Sequence, residues 1–283
     1  MAALRNLVSE GVTRLSSGPH PGRARQDAEA LLLHVLGKSK SWLLAHSNEQ
    51  LAASEASRYG ELLDRRYRGE PIQYIVGEAE FYGLPFRVTP DVLIPRPETE
   101  HLVEKAFELA AGFHALRIVD IGTGSGCIAV ALARHVPQAR ITAIDLSAPA
   151  LAVARQNAER NLVSHRIRFL QGDLLAPVAC EQFEIIVSNP PYVPLADRAS
   201  LAVEVRDHEP ALALFAGPDG LELCRRLIPA AFAALIPGGF LLLEIGHGQS
   251  EAIAALLAAS GFHQIDFLPD LQSIPRVACA QRP

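Results

Sequence analysis

Aromatic side chains make up only 6% of the 283 residues, with a single tryptophan and a single methionine. A chain so poor in flat side chains, with abundant Ala and Leu, favours an architecture covered by helices. Cysteine is scarce too. The four that occur, Cys127, Cys180, Cys224 and Cys279, lie far apart, and neither a Cys-x-x-Cys pair nor a histidine pair at metal-ligand spacing is present. That argues against a zinc module and a disulfide scaffold, so reduced buried thiols and no metal are expected. No run approaches the ~18 consecutive apolar residues of a membrane helix, and the opening ten residues lack the apolar core of a secretory signal; a cytoplasmic chain without a membrane partner is expected. Positive charge is not in excess, since 26 Lys and Arg face 31 Asp and Glu for a formal net charge of -5. This disfavours binding of nucleic acid chiefly through phosphate neutralisation. What remains, 49% hydrophobic and 20% charged residues, is globular composition in a length that suits one ordinary domain and a smaller companion.

The first ~70 residues carry no strand signal, and residues 1–75 are expected to form a small helical domain. Apolar side chains at positions 28, 31, 32, 35 and 36 form one helical face, and Gly37 reads as its stop. A second helix is expected around Ser54 to Arg68, whose basic end Arg65-Arg66-Tyr67-Arg68 reads as solvated; Trp42 reads as core. Residues 76–96 predict a hairpin linker, Glu78–Tyr82 against Pro85–Val88 across Gly83-Leu84. Over residues 97–283 helix and strand alternate, which predicts an α/β, doubly wound, Rossmann-like sheet, mostly parallel with an antiparallel last strand. Pro97 suits the first turn of a helix with a buried stripe at Val103, Ala106, Phe107 and Ala110. Strands are expected at Arg117–Ile121, Arg140–Ile144, Ile167–Leu170, Phe183–Ser188, Phe240–Ile245, Gln264–Leu268 and Arg276–Ala280.

Directly after the apolar run Phe183–Ser188 comes Asn189-Pro190-Pro191-Tyr192. A residue before proline is pushed into an extended conformation, and Asn189 and Pro190 each precede one, so two carbonyls are held outward at a strand end. The Asn189 side chain adds an acceptor oxygen, and Tyr192 offers an aromatic face. The pattern predicts a grip on a planar NH2 group, either an amide or an aryl amine. Upstream, Ile118–Ile121 runs into Gly122-Thr123-Gly124-Ser125-Gly126 and then into helical Cys127–Ala133. A strand, glycine turn and helix N-terminus mark a nucleotide-like ligand. Cys127 stands where the dinucleotide fingerprint requires its third glycine, which counts against NAD. Asp145, ending the next strand, either accepts from ribose hydroxyls or caps a loop. Asp173, in Gln171-Gly172-Asp173-Leu174, accepts from an adenine amino group or is an ordinary turn residue.

Four segments in this order, Leu93-Ile94-Pro95-Arg96-Pro97-Glu98-Thr99-Glu100, Asp120 to Gly126, Asn189 to Tyr192, and Arg206-Asp207-His208-Glu209-Pro210-Ala211-Leu212, resemble the HemK/PrmC family of class I methyltransferases, and the match spans the whole chain. The resemblance implies N5-methylation of the glutamine in the Gly-Gly-Gln motif of peptide chain release factors, with the helical N-terminal domain helping to bind that protein partner. It implies S-adenosyl-L-methionine as cofactor, held by Gly122, Thr123, Gly124, Ser125, Gly126, Asp145, Asp173, Leu174 and Asn189. It further implies that Asn189 and Pro190 accept the two amide hydrogens, that Pro191 helps to form the substrate site, and that Tyr192 packs against the amide plane, with Asn189, Pro190 and Tyr192 catalytic.

An adenine N6-methyltransferase for DNA or RNA would use the same tetrapeptide, but it needs base flipping and a basic surface or recognition domain that this acidic chain does not display. A dehydrogenase or other nucleotide-binding protein leaves Asn189 to Tyr192 unexplained. A monomer without direct nucleic-acid binding is expected. Arg96 and Glu98 read equally as site entrance or hinge, Glu244 as a buried satisfied carboxylate or a site residue, and His208 as structural. Val193 to Phe215 reads as a lid or a flexible loop.

Overall fold

The computed structural model describes residues 3–283, which divide into two compact units. The first runs to Gly77 and also takes in Leu201–His208; the second comprises Glu78–Ser200 and Glu209–Pro283. In the first, α1 (Leu4–Leu15), α2 (Ala24–Leu36), α3 (Lys40–Ala45), α4 (Ala53–Tyr67) and α5 (Ile72–Val76) follow in sequence. Helix α2 stops where expected, because Gly37 takes a left-handed φ of 61° that a side chain would resist. Its Ala28, Leu31 and Leu32 pack with Leu4 of α1 and with Tyr59 and Leu63 of α4, and Trp42 lies partly buried against this cluster.

The basic end of α4 is solvated at Tyr67 and Arg68, as its composition predicts, but not at Arg66. Arg66 is 2% exposed. Its Nε donates to Asp27 Oδ2 at 2.6 Å, while Nη1 donates to the Glu70 carbonyl at 3.0 Å and to Glu204 Oε2 at 2.9 Å. The counter-ion that makes burial tolerable sits on α2, so no local pattern reveals it.

The second unit opens with a hairpin of β1 (Glu78–Phe81) and β2 (Leu84–Arg87), closed by Tyr82 and Gly83, both at positive φ. Phe81 and Phe86 bury themselves in this unit's core, so the hairpin is part of its packing. There follow α6 (Thr99–Ala110), β3 (Leu116–Ile121), α7 (Cys127–His135), β4 (Ala139–Asp145), α8 (Ala148–Arg160), β5 (Ile167–Gln171) and β6 (Phe183–Ser188). After α9 (Val203–His208), which belongs to the first unit, come α10 (Ala211–Leu214), α11 (Glu222–Ala234), β7 (Leu235–Glu244), α12 (Ser250–Ala259), β8 (His263–Pro269) and β9 (Pro275–Gln281).

The strands form one seven-stranded sheet in the order β5-β4-β3-β6-β7-β9-β8. All adjacent pairs are parallel except those made by β9, which runs antiparallel to both neighbours. Every residue of β6 is buried, and a separate apolar cluster covers each face of the sheet. The strand order reverses between β3 and β6, and at such a switch point the carboxyl ends of the strands leave a crevice.

Two element starts differ from expectation by more than one residue. Helix α6 starts at Thr99, with Pro97 in the preceding turn, where its carbonyl accepts from the Glu100 N–H at 3.0 Å. Strand β7 begins at Leu235 instead of Phe240, carrying Pro237, Gly238 and Gly239 past a register irregularity opposite Phe183 to Ile185. Among the described residues no helix is long and apolar enough to cross a membrane.

Candidate active site

At the carboxyl ends of β3 and β4 and the start of the segment after β6 lies a cavity of about 460 Å³, a size typical of small-molecule sites. The glycine turn forms one wall. The Gly122 and Thr123 N–H groups donate to the Ile144 carbonyl at 2.9 and 3.0 Å, which pins the turn to β4. Gly122, Gly124 and Gly126 take φ values of 72°, 55° and 80°. A Cβ on Gly122 would meet no atom within 4 Å, whereas one on Gly126 would come within 3.0 Å of the Ala154 Cβ. Gly122 therefore keeps bare backbone beside the cavity, while Gly126, set back from the wall, lets α7 start against α8.

Asp145 reaches the wall and caps the loop, one of the two roles the sequence leaves open to it. Its Oδ2 accepts from the Gly124 N–H at 2.8 Å and its Oδ1 from the Ser147 N–H at 2.9 Å, yet each oxygen retains a second lone pair. Burial raises its pKa, and these backbone bonds oppose the rise. Asp173 and Leu174 also line the cavity, but the Asp173 carboxylate is engaged by Arg226 in a half-exposed ion pair. The Ser125 hydroxyl is buried on the wall with no nitrogen or oxygen partner, only the Cys127 thiol lying near it. An open polar atom, bare turn backbone and a carboxylate with spare lone pairs fit a nucleoside bearing a polar tail.

The tetrapeptide leaves the neighbouring strand beside the turn, since Ser188 of β6 pairs with Ile121 of β3. Asn189 and Pro191 line the cavity. Asn189 Nδ2 donates to Thr99 Oγ1 at 3.1 Å, and Thr99 Oγ1 donates in turn to Glu244 Oε2 at 2.6 Å. Among the described residues no donor reaches Asn189 Oδ1 or the backbone carbonyls of Asn189 and Pro190. Pro190 is buried and Tyr192 partly so, and neither lines the cavity. The Tyr192 hydroxyl instead donates to Glu244 Oε1 at 3.3 Å, and its carbonyl accepts from Gln249 Nε2 at 3.1 Å. Burial, then the charge of Glu244, pushes the Tyr192 phenol well above its usual range. Glu244 itself is 2% exposed, and desolvation lifts its carboxyl to about 7 against the two hydrogen bonds that favour its charge.

Arg96 is a wall residue whose Nη2 donates to buried Glu209 at 2.5 Å, and Glu209 Oε2 accepts from the Ile94 N–H at 3.3 Å. Thr99 is the site residue that side-chain chemistry alone does not single out. Its one signal is its place in the Pro97-Glu98-Thr99-Glu100 motif.

The family model of the PrmC N-terminal domain matches residues 6–77, and that of the methyltransferase small domain matches residues 99–205. The release factor glutamine methyltransferase of Koribacter versatilis is 41% identical to this chain, over 99% of each. The chain belongs to the release factor glutamine methyltransferase family. A second member, from Moorella thermoacetica, is 43% identical over 99% of this chain and 98% of its own. Among solved structures, the T. thermophilus 16S rRNA N2 G1207 methyltransferase in complex with AdoMet and guanosine resembles it at a TM-score of 0.55 and 20% identity, covering 73% of this chain and 50% of that one. This last likeness is one of fold. Within the family frame, the glycine turn after β3 and Asn189 and Pro191 of the tetrapeptide after β6 line one cavity.

Proposed function

We propose that this chain transfers a methyl group to the side-chain amide nitrogen (N5) of the glutamine in the Gly-Gly-Gln motif of peptide chain release factors. The observation that carries the proposal is the tethered Asn189 amide: its NH2 end is held by Thr99 and its oxygen is left open on the cavity wall. S-adenosyl-L-methionine, when bound, supplies an electrophilic methyl group. Bare backbone at Gly122 to Ser125 and the spare lone pairs of Asp145 suit its polar tail and ribose, with Asp173 and Leu174 on the adenine side.

A glutamine amide nitrogen is a weak nucleophile because its lone pair is delocalised into the carbonyl. Asn189 Oδ1 and the Pro190 carbonyl would accept its two hydrogens, fix the nitrogen's direction and favour pyramidalisation. As the nitrogen gains positive charge its N–H groups become more acidic, so these acceptors bind the transition state more tightly than the ground state. An N-alkylated, N-protonated amide loses its proton readily to water, and no strong base is required. Tyr192 supports the tetrapeptide through Glu244 and Gln249. The N-terminal helical domain is assigned to release-factor recognition, and the setting to the cytoplasm.

Mass spectrometry of the Gly-Gly-Gln peptide from a release factor incubated with the enzyme and S-adenosylmethionine tests the proposal. One added methyl on the glutamine is expected. Label entering adenine of DNA or RNA and not the release factor would overturn it.

A further inference from the structure

Glu244 ends β7 and holds both ends of the tetrapeptide, Asn189 through Thr99 and Tyr192 directly. A carboxylate carries no proton and can only accept. The Thr99 hydroxyl must therefore give its single hydrogen to Glu244, which leaves it only lone pairs for Asn189. Only the NH2 end of the Asn189 amide can then face Thr99, and the oxygen is turned outward.

We propose that Glu244 is a positioning residue which, as a carboxylate, sets the direction of the hydrogen bonds through Thr99 and so presents Asn189 Oδ1 to the substrate amide. The inference rests on the glutamine reading of the site. Were Glu244 protonated, it could donate to Thr99, which could then donate to Asn189 Oδ1 and turn the amide round. The wall would offer an NH2 group where the substrate needs an acceptor. With its carboxyl raised to about 7, this reversal falls near neutral pH. The charged groups that bear on Glu244 are Glu98 ahead of α6, which raises its pKa, and Arg276 of β9, which lowers it. Tyr192 and Cys127 of α7 feel its charge, Tyr192 also feels Arg96 and Arg276, and Cys127 also feels Asp120.

The test is the pH profile of kcat, with the cofactor Kd alongside, for wild type, Thr99→Val, Thr99→Ser and Glu244→Gln acting on a release factor. Wild-type kcat should rise with pH through about 7. Thr99→Val should lower kcat at pH 8 by about tenfold or more, with the cofactor Kd little changed, and Thr99→Ser should regain most of the loss. Glu244→Gln can offer Thr99 either a donor or an acceptor, so it should be slower and should lose the rise near pH 7. A Thr99→Val enzyme matching wild type, or a Glu244→Gln enzyme keeping the wild-type acid limb, would overturn the proposal. A second readout needs no methyl acceptor: the Asn189 side-chain NH2 resonances should shift with pH through about 7 in wild type and not in Glu244→Gln. If they do not respond to Glu244 at all, the positioning role is wrong; if they do while wild type leaves the release factor unmethylated, it is the glutamine reading that fails.

Discussion

Asn189 is an amide that must act as an acceptor, and an unrestrained amide offers its NH2 end as readily as its oxygen. The sequence makes the acceptor legible, because Pro190 and Pro191 fix the backbone on either side. It hides what aims it, since Thr99 lies 90 residues before Asn189, and Glu244 is 145 residues from Thr99. Tyr192 shows the same limit. Its ring suits a stacking platform, and only tertiary structure reveals that its hydroxyl is committed to Glu244. Asn189→Ala should lower kcat about a hundredfold while the cofactor Kd stays nearly constant. Asp145→Ala should do the reverse, raising the cofactor Kd about tenfold with kcat at saturation less affected. Calorimetric titration beside single-turnover kinetics separates the two, and equal losses in both measurements for Asn189→Ala would mean that it chiefly shapes the cofactor pocket.

Among the elements, those with a strong local pattern are the ones sequence locates best. Strand β6 matches its expected span, being an unbroken apolar run, and α2 ends at the glycine that reads as its stop. The start of β7 is obscured because Pro237, Gly238 and Gly239 look like a turn although they continue the strand through an irregularity. At the end of α4, charge pattern misleads, since a buried partner on another helix overrides the usual preference of arginine for solvent. Arg66→Met should therefore destabilise the helical unit strongly, by about 3 kcal/mol, because Asp27 would stay buried without its main counter-ion. Calorimetry of the full chain should show a transition moved to lower temperature; an unchanged trace would mean that Arg23, 3.8 Å from Asp27 Oδ1, compensates.

For the whole molecule, the buried carboxyl of Glu244 sets stability and activity against each other, and that of Asp120 adds to the effect on stability. Desolvation raises Asp120 and Glu244 to about 7, above their unfolded values near 4. Between those limits the folded state binds more protons than the unfolded one, so their contribution to stability declines as pH rises from about 4 to 7. The strongly depressed Asp219 acts in the opposite sense, but its effect is lost only as pH falls toward about 2. The Tm should accordingly be higher at pH 6 than at pH 8, while methyl transfer is faster at pH 8. Glu244→Gln should narrow that difference in Tm; a wild-type Tm that rises steadily from pH 6 to 8 would show that other groups dominate.

The fold class, the glycine turn and the tetrapeptide were all legible in the chain, because each is a local signature. Membership of Leu201–His208 in the helical unit was not, since it depends on contacts across the sequence such as that of Glu204 with Arg66. The helical unit is therefore written in two separate stretches of sequence, the second inserted within the catalytic domain's own. Cutting at Gly77 would not excise it whole. A chimera that exchanges N-terminal domains between relatives has to carry residues 201–208 along with them, or the grafted helices arrive with a buried arginine that has lost one of its carboxylates.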